Sequence, residues 1–219
     1  DIPAGASPDR NLPAEPPQKQ LQQRVLHANV PVDALYMAFH SAGRLEPLYY
    51  TSDLLSDILS NGPSSRLYRR LLKEKRLVTS IDCYITGNID PGLFIIEAKP
   101  TDGYTLQQVE EAIWEELEEI KNHLIPEREL EKVKNKMESS IVFSEANILN
   151  QALNLAMFEL LGDPDQINRE VEIYRNITSN DIQQAAQTMF LRENCSVLYY
   201  KANNPGGVAP KEEEEEDED

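Results

Sequence analysis

Alternation of apolar and polar residues marks the first regular segments of the chain. Within residues 34–41 the apolar side chains of Leu35, Met37 and Phe39 occupy every second position. A period of two is typical of a β-strand that buries one of its faces. Similar runs predict strands over residues 22–30, 78–86, 93–98 and 196–201.

A helical period of three to four dominates the remainder. It is clearest in residues 105–123, and Pro126 begins a further amphipathic segment. Residues 148–161 are apolar nearly all round, which predicts a buried helix, whereas the acids of residues 115–119 fit a solvated face. Further helices are predicted over residues 47–60, 65–75, 165–175 and 179–190.

The order of these segments indicates the fold class. Two strands and two helices are followed by a strand pair, a run of helices and a last strand. Such an order predicts an α+β fold, with a mostly antiparallel sheet and helices packed on one face. We expect this domain to occupy residues 21–202.

The two ends differ from the segments between them. Residues 1–20 contain five prolines and predict an extended linker. Residues 203–219 combine Pro205-Gly206-Gly207 with the acidic run Glu212–Asp219, and their composition predicts a disordered acidic tail. A linker at the start suggests a preceding segment.

Charge and hydropathy exclude some classes of partner. Removing the eight acids of residues 212–219 from the net charge of −17 leaves −9 for residues 1–211. A body with this charge repels phosphate backbones, so nucleic acid is not an expected partner. No apolar run approaches the ~20 residues of a membrane span. The compartment is left open.

The candidate chemistry of the chain is sparse. His27, His40 and His123 lack the spacing of H-E-x-x-H or H-x-x-E-H, so we expect no metal site. The sequence contains no G-x-S-x-G motif and no phosphate-binding glycine loop. Cys83 and Cys195 are expected to be small buried residues, and their pairing is left open. No catalytic residue is predicted.

One segment is more specific. Asp53–Ser60 predicts a helix, Asn61-Gly62-Pro63-Ser64 a loop, and Ser65-Arg66-Leu67-Tyr68 the start of a second helix. This order resembles the helix–loop–helix of pitrilysin-type zinc peptidases, the group of insulysin and mitochondrial processing peptidase. Residues 81–100 resemble the strand pair that follows in that family, and residues 177–182 resemble the cap of its final helix.

The resemblance is to the zinc-free C-terminal half of these peptidases. It implies a non-catalytic domain that completes a peptide-binding chamber, with zinc and proteolysis supplied by an N-terminal half of the same protein. In a divided system, a second peptidase-like subunit would also be a partner. The alternative is a scaffold or binding protein of peptidase origin with no proteolytic role.

The same resemblance suggests positions for substrate contacts. Arg66 and Tyr68 are the candidate substrate-binding residues, placed near the chamber wall; the alternative is a surface arginine and a half-buried tyrosine. Active relatives carry an Arg and a Tyr seven residues apart in this half. Leu72 and Thr79 stand at the corresponding places here. We expect Leu72 to lie on the buried side of its helix.

The missing ligand motif leads to a direct test. The isolated chain is expected to bind no stoichiometric zinc and to cleave no peptide, because zinc sites need at least three suitably spaced ligands. Metal analysis of the purified chain measures this. One tightly held zinc per chain, lost when His27, His40 or His123 is replaced, would contradict the prediction.

Overall fold

The structure, a computed structural model, describes residue 5 and residues 15–203. In this part five strands and six α-helices follow one another in a mixed order. The strands are β1 (Gln22–Ala28), β2 (Ala34–Ser41), β3 (Val78–Ile85), β4 (Gly92–Pro100) and β5 (Cys195–Ala202). The α-helices are α1 (Pro47–Ser60), α2 (Leu106–Asn122), α3 (Glu127–Glu145), α4 (Ile148–Leu160), α5 (Glu170–Asn176) and α6 (Ser179–Met189).

The strands form one sheet in the order β1-β5-β2-β4-β3. Strand β1 runs parallel to β5, and the other neighbouring pairs are antiparallel. Helices pack on one face, mainly α1 against β3 and α2 and α6 against the central strands. The predicted α+β fold with a mostly antiparallel sheet is therefore confirmed.

The core lies between the sheet and these helices. Phe39 of β2 and Phe94 of β4 both meet Phe190 edge to face, with ring centroids 5.1 and 5.2 Å apart. All three rings are fully buried, as are Leu54 and Leu55 of α1. The alternation predicted for residues 34–41 is confirmed, because every second side chain of β2 enters this core.

Side-chain caps fix the starts of two core helices. The Thr105 hydroxyl accepts a hydrogen bond from the backbone N–H of Gln108. In return, the side-chain oxygen of Gln108 accepts one from the backbone N–H of Thr105. Thr178 and Asp181 repeat this exchange at the start of α6. Such capping boxes satisfy amides that the first helical turn leaves without partners.

The helices differ from the sequence prediction in two places. Residues 68–74 form a π-helix, Tyr68–Glu74, where a regular α-helix was expected. The helix predicted over residues 165–175 is divided into a 3₁₀ turn, Pro164–Asn168, and α5. At the 3₁₀ turn, the Arg169 side chain donates to the Asp163 carboxylate, and the Arg169 backbone N–H donates to the Gln166 carbonyl. These two bonds end the turn before α5 begins.

The buried helix predicted over residues 148–161 is wrong in its burial. Helix α4 forms there, yet Phe158 alone among its residues is buried. The reason is positional, because α4 packs mainly on α3 and the following 3₁₀ turn and does not lie over the sheet. An apolar pattern all round a helix shows what the helix can bury, and the neighbouring elements decide what it does bury.

The predicted linker and tail fall largely outside the described residues, which leave out residues 1–4, 6–14 and 204–219. The described elements run from Gln22 to Ala202. Over the described ranges, no helix has the length and apolarity to cross a bilayer.

The core predicts a clear contrast between two leucines. Leu54→Ala should lower the free energy of unfolding by about 2–5 kcal/mol, because Leu54 is fully buried and its loss leaves a cavity. Leu45→Ala, the same change at an exposed position of the loop before α1, should cost less than about 0.5 kcal/mol. Urea unfolding of both variants measures the difference. Equal costs would contradict the assigned core.

Candidate functional site

Arg66, the first candidate residue, is held by an ion pair. Its Nε and Nη2 atoms each donate to one carboxylate oxygen of Glu129 on α3, and both distances are 2.9 Å. The two side chains are only 14% and 21% exposed. A two-point guanidinium–carboxylate pair fixes orientation as well as distance. Arg66 therefore joins the helix–loop–helix to α3.

Tyr68, the second candidate, opens the π-helix and is half-buried. The Nζ atom of Lys73 lies 5.5 Å from the centre of its ring, within the range of a cation–π contact. The ring therefore keeps an accessible part beside a positive charge. A half-exposed tyrosine in this setting can contact an apolar or acidic side chain of a bound peptide.

Neither Leu72 nor Thr79 offers a free hydrogen-bond donor at the places where the resemblance expects an arginine and a tyrosine. Leu72 is partly buried and packs against the core, beside the fully buried Leu67 and Leu71. Thr79 is exposed on β3, and its hydroxyl donates to the carbonyl oxygen of Lys99 at 3.3 Å. The Leu72 side chain contributes to the apolar face of its helix. An arginine at this position would have to turn its charged group away from that face.

One acid assigned to the solvated face of α2 is buried. The Glu116 carboxylate is 2.9 Å from Nε of Arg70, and its side chain is almost fully enclosed. Burial raises the pKa of Glu116, and the positive charge of Arg70 opposes this rise. The expectation of a solvated face holds for Glu115, Glu118 and Glu119 but is wrong for Glu116. The π-helix, which carries Arg70, covers that position.

The three histidines lie on separate elements. His27 is exposed on β1, His40 lies on β2 with Glu15 3.5 Å away, and His123 follows α2 and is 3.3 Å from Glu119. Across residues 15–203, no three side chains among His, Cys, Asp and Glu are grouped so that they could hold a metal ion. The described residues do not fit a zinc site of their own.

Cys83 and Cys195 are both buried and unpaired, as expected of small core residues. Burial raises the pKa of Cys195 to about 12 and raises that of Cys83 further. Both thiols stay protonated near neutral pH. Because the thiolate is the reactive form, neither cysteine is suited to act as a nucleophile.

The sheet face opposite the helices is half-exposed and carries a cavity of about 520 Å³. His40, Asn88 and Asn194 contribute to its lining, together with residues 15–18. Gln18 fastens this segment to the sheet, since its amide nitrogen donates to the Cys195 carbonyl at 2.7 Å. Apolar groups such as Pro17, Pro91 and Leu93 also line the cavity, so its lining is mixed.

A second surface is apolar. The α3–α4 apolar surface consists of exposed side chains at the end of α3 and along α4, and three of them, Phe143, Ile148 and Leu160, are 78–82% exposed. Its members are the side chains there that are more than half exposed: Val142, Phe143, Ile148, Leu149, Leu153 and Leu160. Large exposed apolar side chains concentrated on two helices in contact are typical of an interaction site. The sequence indicates this apolar surface, because residues 148–161 are apolar nearly all round the helix.

A buried polar cluster attaches α4 to the body. Arg44 donates to the Tyr49 hydroxyl and to the Glu170 carboxylate, each at 2.7 Å. Its guanidinium carbon lies 5.7 Å from the ring centre of Phe158, the buried residue of α4. Sequence reasoning missed this cluster because Arg44 and Glu170 are 126 positions apart and follow no local period.

Two further contacts extend the cluster beside α1. The Tyr174 hydroxyl donates to the Asp53 carboxylate at 2.6 Å, and the Gln166 amide donates to the Tyr50 hydroxyl at 2.7 Å. Burial raises the pKa of Asp53, while the Tyr174 hydrogen bond lowers it in part. These contacts tie the 3₁₀ turn and α5 to α1, so they set the position from which α4 projects.

Comparison with known proteins gives these surfaces a family context. A family described as the peptidase M16 inactive domain matches residues 1–137. An uncharacterized zinc protease of Bacillus subtilis, YmxG, is 26% identical over 156 residues, which cover 71% of this chain and 38% of that protein. The chain spans about two fifths of the curated relatives it matches.

Solved structures share the fold. A protease from Helicobacter pylori superposes with a TM-score of 0.84 at 19% identity, covering 91% of this chain and 48% of that one. An inactive peptidase domain of a zinc protease from Bordetella parapertussis gives a TM-score of 0.73 at 22% identity, covering 84% of this chain and 98% of that one. One of these structures is thus about twice as long, and the other is matched almost end to end.

The Arg66–Glu129 pair predicts a measurable coupling. In a double-mutant cycle of Arg66→Gln and Glu129→Gln, we expect a coupling energy of about 1–3 kcal/mol, because the pair is two-point and mostly buried. The matched control is the cycle of Arg69→Gln and Glu74→Gln. That pair is more than half exposed and 3.6 Å apart, so its coupling should stay below about 0.5 kcal/mol. Equal couplings in urea unfolding would contradict this structural role for Arg66.

Proposed function

This chain belongs to the family of M16 peptidase inactive domains, and we propose that it is the zinc-free half of a peptide-binding chamber. Proteolysis would be carried out by a zinc-bearing half. The description of the family as an inactive peptidase domain supports a zinc-bearing half as the partner. Water activation by zinc would belong to the other half.

The α3–α4 apolar surface is the observation that carries this proposal. Side chains such as Phe143 and Ile148 lie almost fully in solvent in the described part of the chain. Leaving such groups in water costs the burial energy that a partner would recover, roughly 25 cal/mol per Å² of apolar area. This chain spans about two fifths of the length of its curated relatives. A half that corresponds to the rest of that length would cover these side chains.

The half-exposed face of the sheet would line the chamber. Tyr36, Tyr84 and Tyr200 present aromatic rings there, and the cavity beside His40 offers polar groups at one end. Aromatic rings beside hydrogen-bonding groups suit binding of extended peptides with varied side chains. Peptide substrate is accordingly the ligand class that we propose for this face.

Within this proposal, Arg66 and Tyr68 remain the candidate substrate-binding residues. Tyr68 can contact peptide directly through the accessible part of its ring. Arg66 is engaged by Glu129 and would act by holding the helix that presents Tyr68. With Leu72 and Thr79 in place of an arginine and a tyrosine, this half would contribute binding surface and no direct stabilisation of the transition state.

The domain limits are part of the same proposal. We propose residues 1–20 as the linker to the preceding half, residues 21–202 as the peptidase-like domain, and residues 203–219 as an acidic extension. The described strands and helices fall within the middle range. A second peptidase-like subunit would be required only if the zinc-bearing half needs donors that this chain lacks.

The proposal is tested by assembly with the zinc-bearing half. The coding sequence upstream of Asp1 should contain H-x-x-E-H within the preceding ~200 residues, a typical domain length. That half and this chain, co-expressed as separate polypeptides, should co-purify. Leu149→Asp with Leu153→Asp should abolish co-purification, because both side chains belong to the α3–α4 apolar surface.

A matched control separates lost binding from lost folding. Leu45→Asp with Leu124→Asp makes the same chemical change at exposed leucines outside that surface and should leave the complex intact. Zinc-dependent peptide cleavage by the complex, measured with a fluorogenic peptide mixture, supports the proteolytic role. A stable complex that holds zinc but cleaves nothing would favour the scaffold alternative. No complex at all would contradict the proposal.

A further inference from the structure

Six exposed cations lie on two neighbouring elements of a protein that is acidic as a whole. We define the basic track as Arg69, Lys73 and Arg76 of the π-helix and its following loop, with Arg128, Lys132 and Lys136 of α3. On α3 these residues recur every four positions and so share one side of the helix. Arg69 meets Arg128 and Lys132 across a cavity of about 660 Å³, which joins the two helices into one surface.

Most of this positive charge has no acidic partner in the described part of the chain. Arg69 is the one member paired there, with Glu74 at 3.6 Å and mostly in solvent. Lys132 donates to the Ser64 hydroxyl at 2.6 Å, and Lys136 donates to the Asn61 side chain. Both of those acceptors are neutral. Of the nearby acids, Glu129 pairs with Arg66 and Glu131 with Arg175. Asp57 accepts a hydrogen bond from Asn61. Burial raises the pKa of Asp57, while the charges of Lys136 and Lys132 lower it in part, so Asp57 offsets part of the positive charge at that end of the track.

The sheet topology brings the track near the end of β5. Val78, which begins β3, pairs with Pro100 at the end of β4, and Leu35 pairs with both Ala98 and Tyr199. The end of β5 therefore lies at the same end of the sheet as the start of β3, directly after Arg76. The three strand spacings between them amount to roughly 14 Å.

The chain length after β5 matches this distance. Residues 204–211 separate the last described residue from the acidic run Glu212–Asp219. Eight residues reach up to ~26 Å when extended, so the acids can arrive at Lys73 and Arg76 and continue along the track. The run carries eight negative charges against the six positive ones of the track.

We infer that the basic track is the docking surface for the acidic run Glu212–Asp219 of the same chain. Attachment to the same polypeptide gives the run a high effective concentration at this surface, which a free acidic partner lacks. Nucleic acid fits less well, because the net charge of residues 1–211 is −9 and repels a phosphate backbone beyond the track. The docked run would lie along the helix that carries Tyr68.

Zero-length cross-linking of the full chain tests the inference. A water-soluble carbodiimide joins carboxylates to lysine amines in contact, and peptide mass spectrometry locates the products. At ~0.01 M ionic strength, where the screening length is ~30 Å, residues 212–219 should couple mainly to Lys73, Lys132 and Lys136. At ~1 M salt, where that length is ~3 Å, these products should be lost.

A pair of variants isolates the track while keeping the reporting lysines. Arg69→Glu with Arg128→Glu should reduce the products at Lys73, Lys132 and Lys136 roughly fivefold or more, because two attractive contacts become repulsive. Arg24→Glu with Arg169→Glu is the control. The control changes the net charge by the same amount. Arg169 has an exposed ion pair with Asp163, as Arg69 has with Glu74, and neither Arg24 nor Arg128 has an ion pair within residues 15–203. Its products should be unchanged.

Three results would overturn the inference. Coupling spread evenly over exposed lysines such as Lys19 and Lys99 would show that the run has no preferred surface. Equal effects of the two arginine pairs would show that net charge alone matters. Products that join isotopically labelled to unlabelled chains would assign the track to the acidic run of a second copy.

Discussion

Phe39, Phe94 and Phe190 meet at the centre of the protein, and the burial of one sheet face around them is the constraint on which the other features depend. Strands β2 and β4 each contribute one ring, and the third comes from the segment directly after α6. Helices α1, α2 and α6 cover this face, and Trp114 of α2 stacks edge-on against Phe39 at 5.7 Å. Because apolar burial is the dominant favourable term in folding, this arrangement fixes where each helix can lie.

Covering one face leaves the other half-exposed, and it also leaves α4 without a place in the core. The Arg44 cluster determines where α4 projects, since Arg44 contacts Phe158 and is held by Glu170. Both exposed surfaces therefore follow from how the core is closed. Exposed apolar side chains on this scale are typical of a surface that contacts another protein or domain.

Charge is distributed as unevenly as apolar area. The protein has a net charge of −17, yet the exposed cations of the basic track lie together along the π-helix and α3. In the ion pairs that link elements, Arg66–Glu129 and Arg70–Glu116, the carboxylates are largely shielded from water, although the Arg70 side chain is 45% exposed. The cations of the track are exposed. The ion pairs orient the helix–loop–helix, and exposed cations remain available to acidic groups.

Local patterns in the sequence were enough to predict the strands, the main helices and the fold class. The sequence also contains no zinc-ligand motif. The alternation of β2 and the three-to-four period of α2 report directly on which face of each element is apolar, so they were sufficient. The tertiary structure alone decided that α4 is exposed, that Glu116 is buried beside Arg70, and that Arg66 binds Glu129. These outcomes depend on which element covers a given face, and the covering residues come from distant parts of the chain. Periodicity carries no information about such contacts, because it describes one segment at a time.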